Sequence, residues 1–165
     1  LGKPDFLNLK DGSLGLDVNA KSKILDYLIK LKPDLVITHA PEDYHSDHKA
    51  LSNYISESAG FNFPVLFADT LMGVNFNPNF YIDITDFFKQ KREAILAHKT
   101  QNPLKFFQAV ELCNRFRSAQ CNSSNGFYAE AYRYDSRFPF ADIRSFLPLA
   151  PPYRPYYKNV TDSFL

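Results

Sequence analysis

The sequence predicts a Rossmann-like α/β fold, with a mostly parallel sheet and helices on both of its faces. Two observations support this prediction. Apolar residues recur at three- and four-residue spacing over residues 20–32, and after Pro33 an almost wholly apolar, β-branched run follows over 34–38. A helix that leads directly into a buried strand is typical of parallel sheets. Similar helical and strand patterns alternate along the chain as far as residue 134.

The elements can be predicted in chain order from these patterns and from turn residues. Residues 1–18 are rich in turn formers and predict a loop. Helices are predicted over 20–32, 47–58, 85–99 and 103–119, with Asn19, Ser46 and Thr85 as the first three N-caps and Pro103 at the start of the fourth. Strands are predicted over 34–38, 64–68, 80–84 and 127–134.

The chain is expected to form one domain, because 165 residues suit a single core and no linker or repeat interrupts them. Residues 135–165 hold five of the 11 prolines and many aromatic residues. Such an aromatic segment would be a liability in solvent, so we expect a tail that packs on the same domain.

Charge and hydropathy exclude two classes of partner. The chain has 19 Lys and Arg residues against 18 Asp and Glu residues, which leaves a net charge of +1. This balance lacks the basic surface that nucleic acid requires. No run of about 18 apolar residues exists to cross a membrane. We therefore expect no nucleic-acid partner and no membrane-spanning segment in this sequence.

A histidine cluster follows the predicted strand 34–38. Three of the chain's four histidines, His39, His45 and His48, fall within ten residues, beside several carboxylates. Ligands bind at the carboxyl ends of strands in open α/β sheets, and imidazole is a common zinc ligand that a carboxylate can orient. The cluster predicts a metal centre. The alternative is a polar loop that caps a helix, in which Asp47 only suits the helix dipole.

Three segments together resemble a known family. They are THAPEDYHSDHKAL (38–51), YIDITDFFKQKREAILAHKTQ (81–101) and RFRSAQCNSSNGFYAEAYR (115–133). In this order they resemble motifs of the LmbE-like, GlcNAc-phosphatidylinositol de-N-acetylase family. The family's first signature, Ala-His-Pro-Asp-Asp-Glu, does not occur in this sequence. The resemblance therefore implies that residues 1–134 are the C-terminal portion of the family's domain, with that signature upstream.

The resemblance implies zinc-dependent hydrolysis of the N-acetyl group of an N-acetylglucosaminyl compound. His48 would be a zinc ligand, and the missing signature would supply the remaining ligands and the general base. His45 would be catalytic, stabilising the oxyanion or protonating the leaving amine. Asp47 would orient an imidazole, and Asp43 and Tyr44 would line the sugar pocket. The sequence as given would bind zinc weakly at best and would be inactive alone.

Other residues keep two interpretations. His98 resembles a family position and is expected to bind substrate, although a histidine near a helix C-terminus also suits the helix dipole. Tyr128 is expected to pack, and the role of Glu130 stays open. The expected partners are a small amino sugar and a possible second copy of the chain, and the expected location is the cytoplasm. The alternative function is a non-catalytic remnant or sugar-binding module without the metal site, which the upstream sequence would decide.

Overall fold

The computed structural model describes residues 2–59, 62–121 and 127–136. Its helices are α1 (Ala20–Leu31), α2 (Ser46–Ala59), α3 (Phe88–Leu96) and α4 (Pro103–Gln120), and its strands are β1 (Val36–His39), β2 (Val65–Ala68), β3 (Phe80–Asp83) and β4 (Ala129–Tyr134). Short 3-10 turns cover Leu14–Leu16, Leu71–Gly73 and Thr85–Phe87. The predicted tail over 135–165 lies outside the described residues beyond residue 136.

The four described strands form one sheet in the order β1-β2-β4-β3. β1 and β2 are parallel, whereas β4 is antiparallel to both β2 and β3. The α/β prediction is confirmed, but the sheet is mixed rather than mostly parallel. The error has a physical cause, since side-chain alternation over 127–134 predicts a strand without its direction. β4 enters between two strands that run the other way.

Both faces of the sheet are covered at β2. Val65 and Phe67 pack in a core cluster with α1 and α2, which contribute residues such as Ile24 and Ile55. Leu66 alternates to the opposite face, yet it is only 2% exposed. A run of consecutive buried residues is what a strand covered on both faces requires. In the β4 half of the sheet, α4 contacts β4, and α3 packs against α4.

The parallel pairing of β1 and β2 positions the candidate site. His39 at the end of β1 is in register with Ala68 at the end of β2, so the loops that follow both strands leave the same edge of the sheet. β4 is in register there too, because Ala68 pairs with Tyr132. The histidine loop, the turn after β2 and the first half of β4 therefore lie together.

Several element boundaries differ from the predicted ones by up to three residues, and two of these differences bear on the predicted site residues. The backbone N–H of Lys49 donates to the carbonyl oxygen of His45, so His45, rather than Ser46, is the N-cap of α2. α3 ends at Leu96, and His98 lies in the turn that follows. No helix in the described part of the chain has the length and apolar character that crossing a membrane requires.

Candidate functional site

The loop between β1 and α2 is held against the sheet by a backbone hydrogen bond and an ion pair. Ala40, directly after β1, is fully buried, and its carbonyl oxygen accepts a hydrogen bond from the N–H of Asp43. Arg133 in β4 donates to both carboxylate oxygens of Glu42, at 2.8 and 2.7 Å. The Arg133 guanidinium also lies over the Phe67 ring. This ion pair holds the loop that carries His45 in a fixed position relative to the sheet.

His45 caps α2 with its own side chain. The backbone N–H of Asp47 donates to Nδ1 of His45 at 3.2 Å. An imidazole nitrogen that accepts a hydrogen bond carries no proton, so this bond assigns the proton of the neutral ring to Nε2. His45 is thereby held as a donor through Nε2–H. Its ring centroid lies 4.7 Å from that of His48.

Asp43 lies between the backbone of His45 and the ring of His48. Its Oδ1 accepts a hydrogen bond from the N–H of His45 at 2.9 Å, and its Oδ2 lies 3.2 Å from Nδ1 of His48. Asp43 is 6% exposed. Nδ1 of His48 is buried and has no hydrogen-bond partner among the described residues. Nδ1 of His48 thus lies at ion-pair distance from the Asp43 carboxylate without a well-aligned hydrogen bond, and an imidazole nitrogen beside a carboxylate is a suitable pair of metal donors.

A third donor, His39, completes a candidate metal group. Donor atoms of His39, Asp43 and His48 all lie within 4.8 Å of one another. Two ligands on one tetrahedral zinc, with bonds of about 2.0–2.1 Å, lie about 3.4 Å apart. The Asp43 to His48 separation of 3.2 Å matches that value. These two residues therefore fit the ion that the resemblance implies.

His39 does not fit the same ion in the observed arrangement. Its ring is stacked on the His48 ring, with centroids 3.8 Å apart and an angle of 1° between the planes. A bond from an imidazole nitrogen to a metal lies close to the ring plane, and one ion cannot lie in two parallel planes so far apart. The site thus has two compatible donors, and His39 would have to rotate before it became the third.

The electrostatics of this group favour an ionised Asp43 carboxylate beside a neutral His39 ring. Burial alone would raise the pKa of Asp43, but the N–H of His45 and the neighbouring His48 and His39 outweigh it and lower that pKa. The pKa of His39 is lowered, first by burial and then by the proximity of His48. A neutral imidazole and a carboxylate are the protonation states that metal binding requires.

Asp47 has different partners from those predicted. Its carboxylate accepts hydrogen bonds from the backbone N–H groups of Gly12 and Leu14, at 2.6 and 3.0 Å. Its side chain therefore ties the N-terminal segment to α2 instead of orienting an imidazole. The carboxylate beside His48 is that of Asp43, which the sequence analysis placed in the sugar pocket. Asp43 and Asp47 both follow the buried strand β1, so the sequence pattern alone does not tell which carboxylate lies beside His48. The backbone path of the loop decides it.

Replacing Asp47 with alanine should test this structural role. We expect a loss of about 1–2 kcal/mol in the free energy of unfolding, because two backbone donors lose their acceptor. Zinc affinity should stay within about threefold of wild type, since the side chain does not contact the metal donors. Urea denaturation and zinc titration measure the two effects. A large drop in zinc affinity at unchanged stability would instead return Asp47 to the metal site.

A cavity of about 400 Å³ opens beside His48. The histidine loop contributes Asp43, Tyr44 and His48 to its lining, and the facing wall consists of Lys91 from α3 together with residues of α4 and β4. A volume near 400 Å³ lies in the range of small-molecule sites. The site is therefore a mixed polar and apolar pocket with the candidate metal group on one side.

The wall after β2 depends on a buried ion pair. Arg117 in α4 is 3% exposed and donates to both oxygens of Asp69, with Nε at 2.6 Å and Nη2 at 3.0 Å. The turn at Gly73 passes directly over this guanidinium. Gly73 has φ +69°, and a β-carbon there would come within 2.5 Å of Arg117 Nη2. The turn can take this path because residue 73 has no side chain.

A second polar group lies on the wall formed by α3 and β4. Lys91 pairs with one carboxylate oxygen of Glu130, and the Tyr132 hydroxyl donates to the other. Burial alone would raise the pKa of Glu130, but Lys91 and Tyr132 outweigh it and lower that pKa. The pKa of Tyr132 is raised by burial and by Glu130. Glu130 is thus held as an anion and Tyr132 as a hydroxyl donor.

The predicted site residues are only partly brought together. Tyr44 lines the cavity, although it is 71% exposed. His98 is exposed, and the described lining of the cavity does not include it. Tyr128 packs against Phe88 with stacked rings 3.5 Å apart, as its predicted packing role requires. His39 was predicted only as a member of the histidine cluster, without a role of its own, and in the structure its ring is stacked on that of His48.

Comparisons with known proteins agree with this fold. Residues 2–59 match the PIG-L family model, described as GlcNAc-PI de-N-acetylase. No curated protein matches the chain. Two solved structures share the fold. One is GalB, the 4-carboxy-2-hydroxymuconate hydratase from Pseudomonas putida, with 17% identity, a TM-score of 0.66, and coverage of 84% of this chain and 67% of that one.

The other solved structure is the conserved protein TT1542 from Thermus thermophilus. It has 22% identity and a TM-score of 0.66, over 87% of this chain and 67% of that one. At these identities the likeness shows the shared fold. The resemblance predicted from the motifs is confirmed by this family match, which covers residues 2–59, about a third of the chain.

Proposed function

We propose that this chain carries part of the active site of a zinc-dependent de-N-acetylase, which releases acetate and a free amine from an N-acetylglucosaminyl compound. The observation that carries this proposal is the pairing of two donors that fit a metal, Asp43 and His48, with the Nε2–H donor of His45 beside them. The family match over residues 2–59 supports the same chemistry. A cytoplasmic location stays a prediction.

Each residue has a role that its contacts support. His48 and Asp43 would hold the zinc ion, which when bound supplies an activated water and polarises the acetyl carbonyl. His45 is not in the described lining of the cavity, but its ring lies beside that of His48, and its Nε2–H would donate to the oxygen of that carbonyl as negative charge develops there. Nδ1 of His45 already accepts a hydrogen bond from the N–H of Asp47, which leaves Nε2–H as the donor of the ring. This geometry supports oxyanion stabilisation, the first of its two predicted roles.

The cavity supports an uncharged sugar as the substrate. Its polar lining offers carboxylates at Asp43 and Glu130 and a phenol ring at Tyr44, which suit ring hydroxyl groups. Lys91 is the only lysine or arginine in the described lining, and Glu130 already compensates it. The substrate named for GalB is a carboxylic acid, and this cavity has no free cation in its described lining to hold such a group.

Replacing His45 with alanine should separate catalysis from metal binding. We expect zinc affinity to stay within about threefold of wild type, while deacetylation falls about 10²–10³-fold, as the loss of an oxyanion donor does elsewhere. The assay measures amine release from a panel of N-acetyl sugars by the longest protein that contains this chain, with zinc added. His98→Ala is the matched control, because His98 is exposed and outside the cavity.

Two results would contradict the proposal. Amine release that is unaffected by His45→Ala would remove His45 from the reaction. Sugar binding without amine release, in protein that also contains the family's upstream signature, would favour the non-catalytic sugar-binding module instead. Hydration of an unsaturated carboxylic acid in place of deacetylation would point to the chemistry that GalB is named for.

A further inference from the structure

The far wall of the cavity carries an ion pair that the proposed mechanism does not use. Lys91 and Glu130 come from α3 and β4, and their side chains are 26% and 29% exposed. Both Glu130 oxygens have a protein donor, Lys91 on one and Tyr132 on the other. The pair lines the same cavity as Asp43 and His48. It therefore faces any ligand that reaches the candidate metal group.

The charges around the cavity are compensated in pairs. Lys91 is neutralised by Glu130, and Asp69 is neutralised by Arg117. Asp43 carries a further negative charge beside His48. A phosphate or carboxylate in this cavity would meet carboxylates and no free lysine or arginine in the described lining. To gain a cation it would have to break the Lys91–Glu130 pair in a partly desolvated place.

An uncharged ligand with hydroxyl groups can bind the carboxylates of this cavity without breaking an ion pair. A carboxylate has about four lone-pair positions, and protein donors occupy two of those on Glu130. The others can accept hydrogen bonds from ring hydroxyls, and hydrogen bonds to an ionised acceptor are the strong ones. Val110 and Phe106 of α4 add apolar surface to the same lining. This wall thus offers hydrogen-bond acceptors for the hydroxyl groups of a pyranose ring and apolar surface for its C–H groups.

We propose that Glu130, held by Lys91 and Tyr132, is a specificity-determining residue that selects uncharged hydroxylated sugars and rejects their phosphorylated forms. The choice of an N-acetyl sugar as the ligand rests on the proposed function. The lowered pKa of Glu130 supports the proposal, since Glu130 then remains ionised near neutral pH.

The test is a binding measurement that does not depend on turnover. N-acetylglucosamine and N-acetylglucosamine 6-phosphate are titrated by NMR against the full chain, with a chelator present to exclude metal. Wild type should bind the neutral sugar at least about tenfold more tightly than the phosphate. Glu130→Gln keeps the shape of the side chain but frees the Lys91 charge. We expect it to weaken neutral sugar binding about tenfold and to strengthen phosphate binding, so that the preference is lost or reversed.

Two further variants make the result specific. Glu57→Gln is the matched control, because Glu57 also pairs with a lysine, Lys21, but on the exposed surface. It should bind both sugars as wild type does. Lys91→Gln removes the cation and should weaken phosphate binding further while neutral binding stays within about threefold. This variant keeps the test decisive if Glu130→Gln does not fold, which thermal melting checks.

The outcomes separate this proposal from the proposed function. Unchanged preference in Glu130→Gln, a wild-type preference for the phosphate, or no binding of either sugar would overturn the role of Glu130. Amine release that occurs while Glu130→Gln keeps its preference would overturn only the specificity proposal. The predicted preference without any amine release would support the role of Glu130 and contradict the deacetylase.

Discussion

Alanine at His48 should weaken zinc binding at least about 100-fold in the longest protein that contains this chain. Removing a residue that only orients a metal ligand costs about 10–100-fold, and His48 is placed as a ligand itself. Its buried Nδ1 lies 3.2 Å from Asp43 Oδ2, and the described residues offer it no hydrogen bond. Competition with a chromophoric chelator measures the affinity, and metal analysis after dialysis measures the stoichiometry.

Substitutions at the neighbouring histidines make this result specific. His98→Ala should bind zinc as wild type does. His39→Phe keeps an aromatic ring stacked on His48 and should lose less affinity than His48→Ala, because His39 and His48 cannot share an ion in the observed stack. Zinc retained at wild-type stoichiometry in His48→Ala would refute the assignment. An equal loss in His39→Phe would show that the His39 ring rotates to become a full ligand.

Methionine at Arg117 should lower the free energy of unfolding by about 3 kcal/mol. Removing one partner of a buried ion pair leaves the other charge without compensation, which typically costs about 3–5 kcal/mol. Arg117 is 3% exposed, and the Asp69 side chain is 15% exposed, so solvent screens this pair weakly. Urea denaturation followed by circular dichroism measures the loss.

Two controls separate the ion pair from the loss of packing. Lys21→Met removes one partner of an exposed pair and should change stability by less than about 0.5 kcal/mol. The double variant Asp69→Asn with Arg117→Met should be more stable than Arg117→Met alone, because no uncompensated carboxylate remains. A loss below about 1 kcal/mol in the single variant would mean that water reaches Asp69 and replaces the guanidinium.

Most of the elements could be predicted from local patterns. The helical spacing over 20–32 became α1, and Pro103 begins α4 as predicted, with the Asn102 side chain accepting a hydrogen bond from Lys105. Two features could not be predicted in this way. The direction of β4 depends on its neighbours in the sheet, and α3 ends at Leu96 before its apolar pattern does.

Part of the candidate site could likewise be predicted from local sequence, and part depends on the fold. The histidine cluster could be found because its members are close in sequence and follow a buried strand. Lys91 and Glu130 are 39 residues apart, and only the path of α3 and β4 brings them together. Asp43 lines the cavity as predicted but also lies beside His48, whereas the Asp47 carboxylate binds the N-terminal segment. Local pattern could not distinguish them, because both fit a carboxylate near an imidazole. The backbone of one loop decides between them.

The turn at Gly73 has a consequence for how this protein can diverge. Its positive φ disfavours any other residue, and the Arg117 guanidinium occupies the space that a β-carbon would need. A lineage that acquires alanine at position 73 must therefore displace or shorten the Arg117 side chain, which weakens its pairing with Asp69. Positions 69 and 73, four residues apart, thus depend on the distant position 117, and we expect the three to covary across related genes. Exchanging all three together between relatives should preserve folding where single exchanges do not.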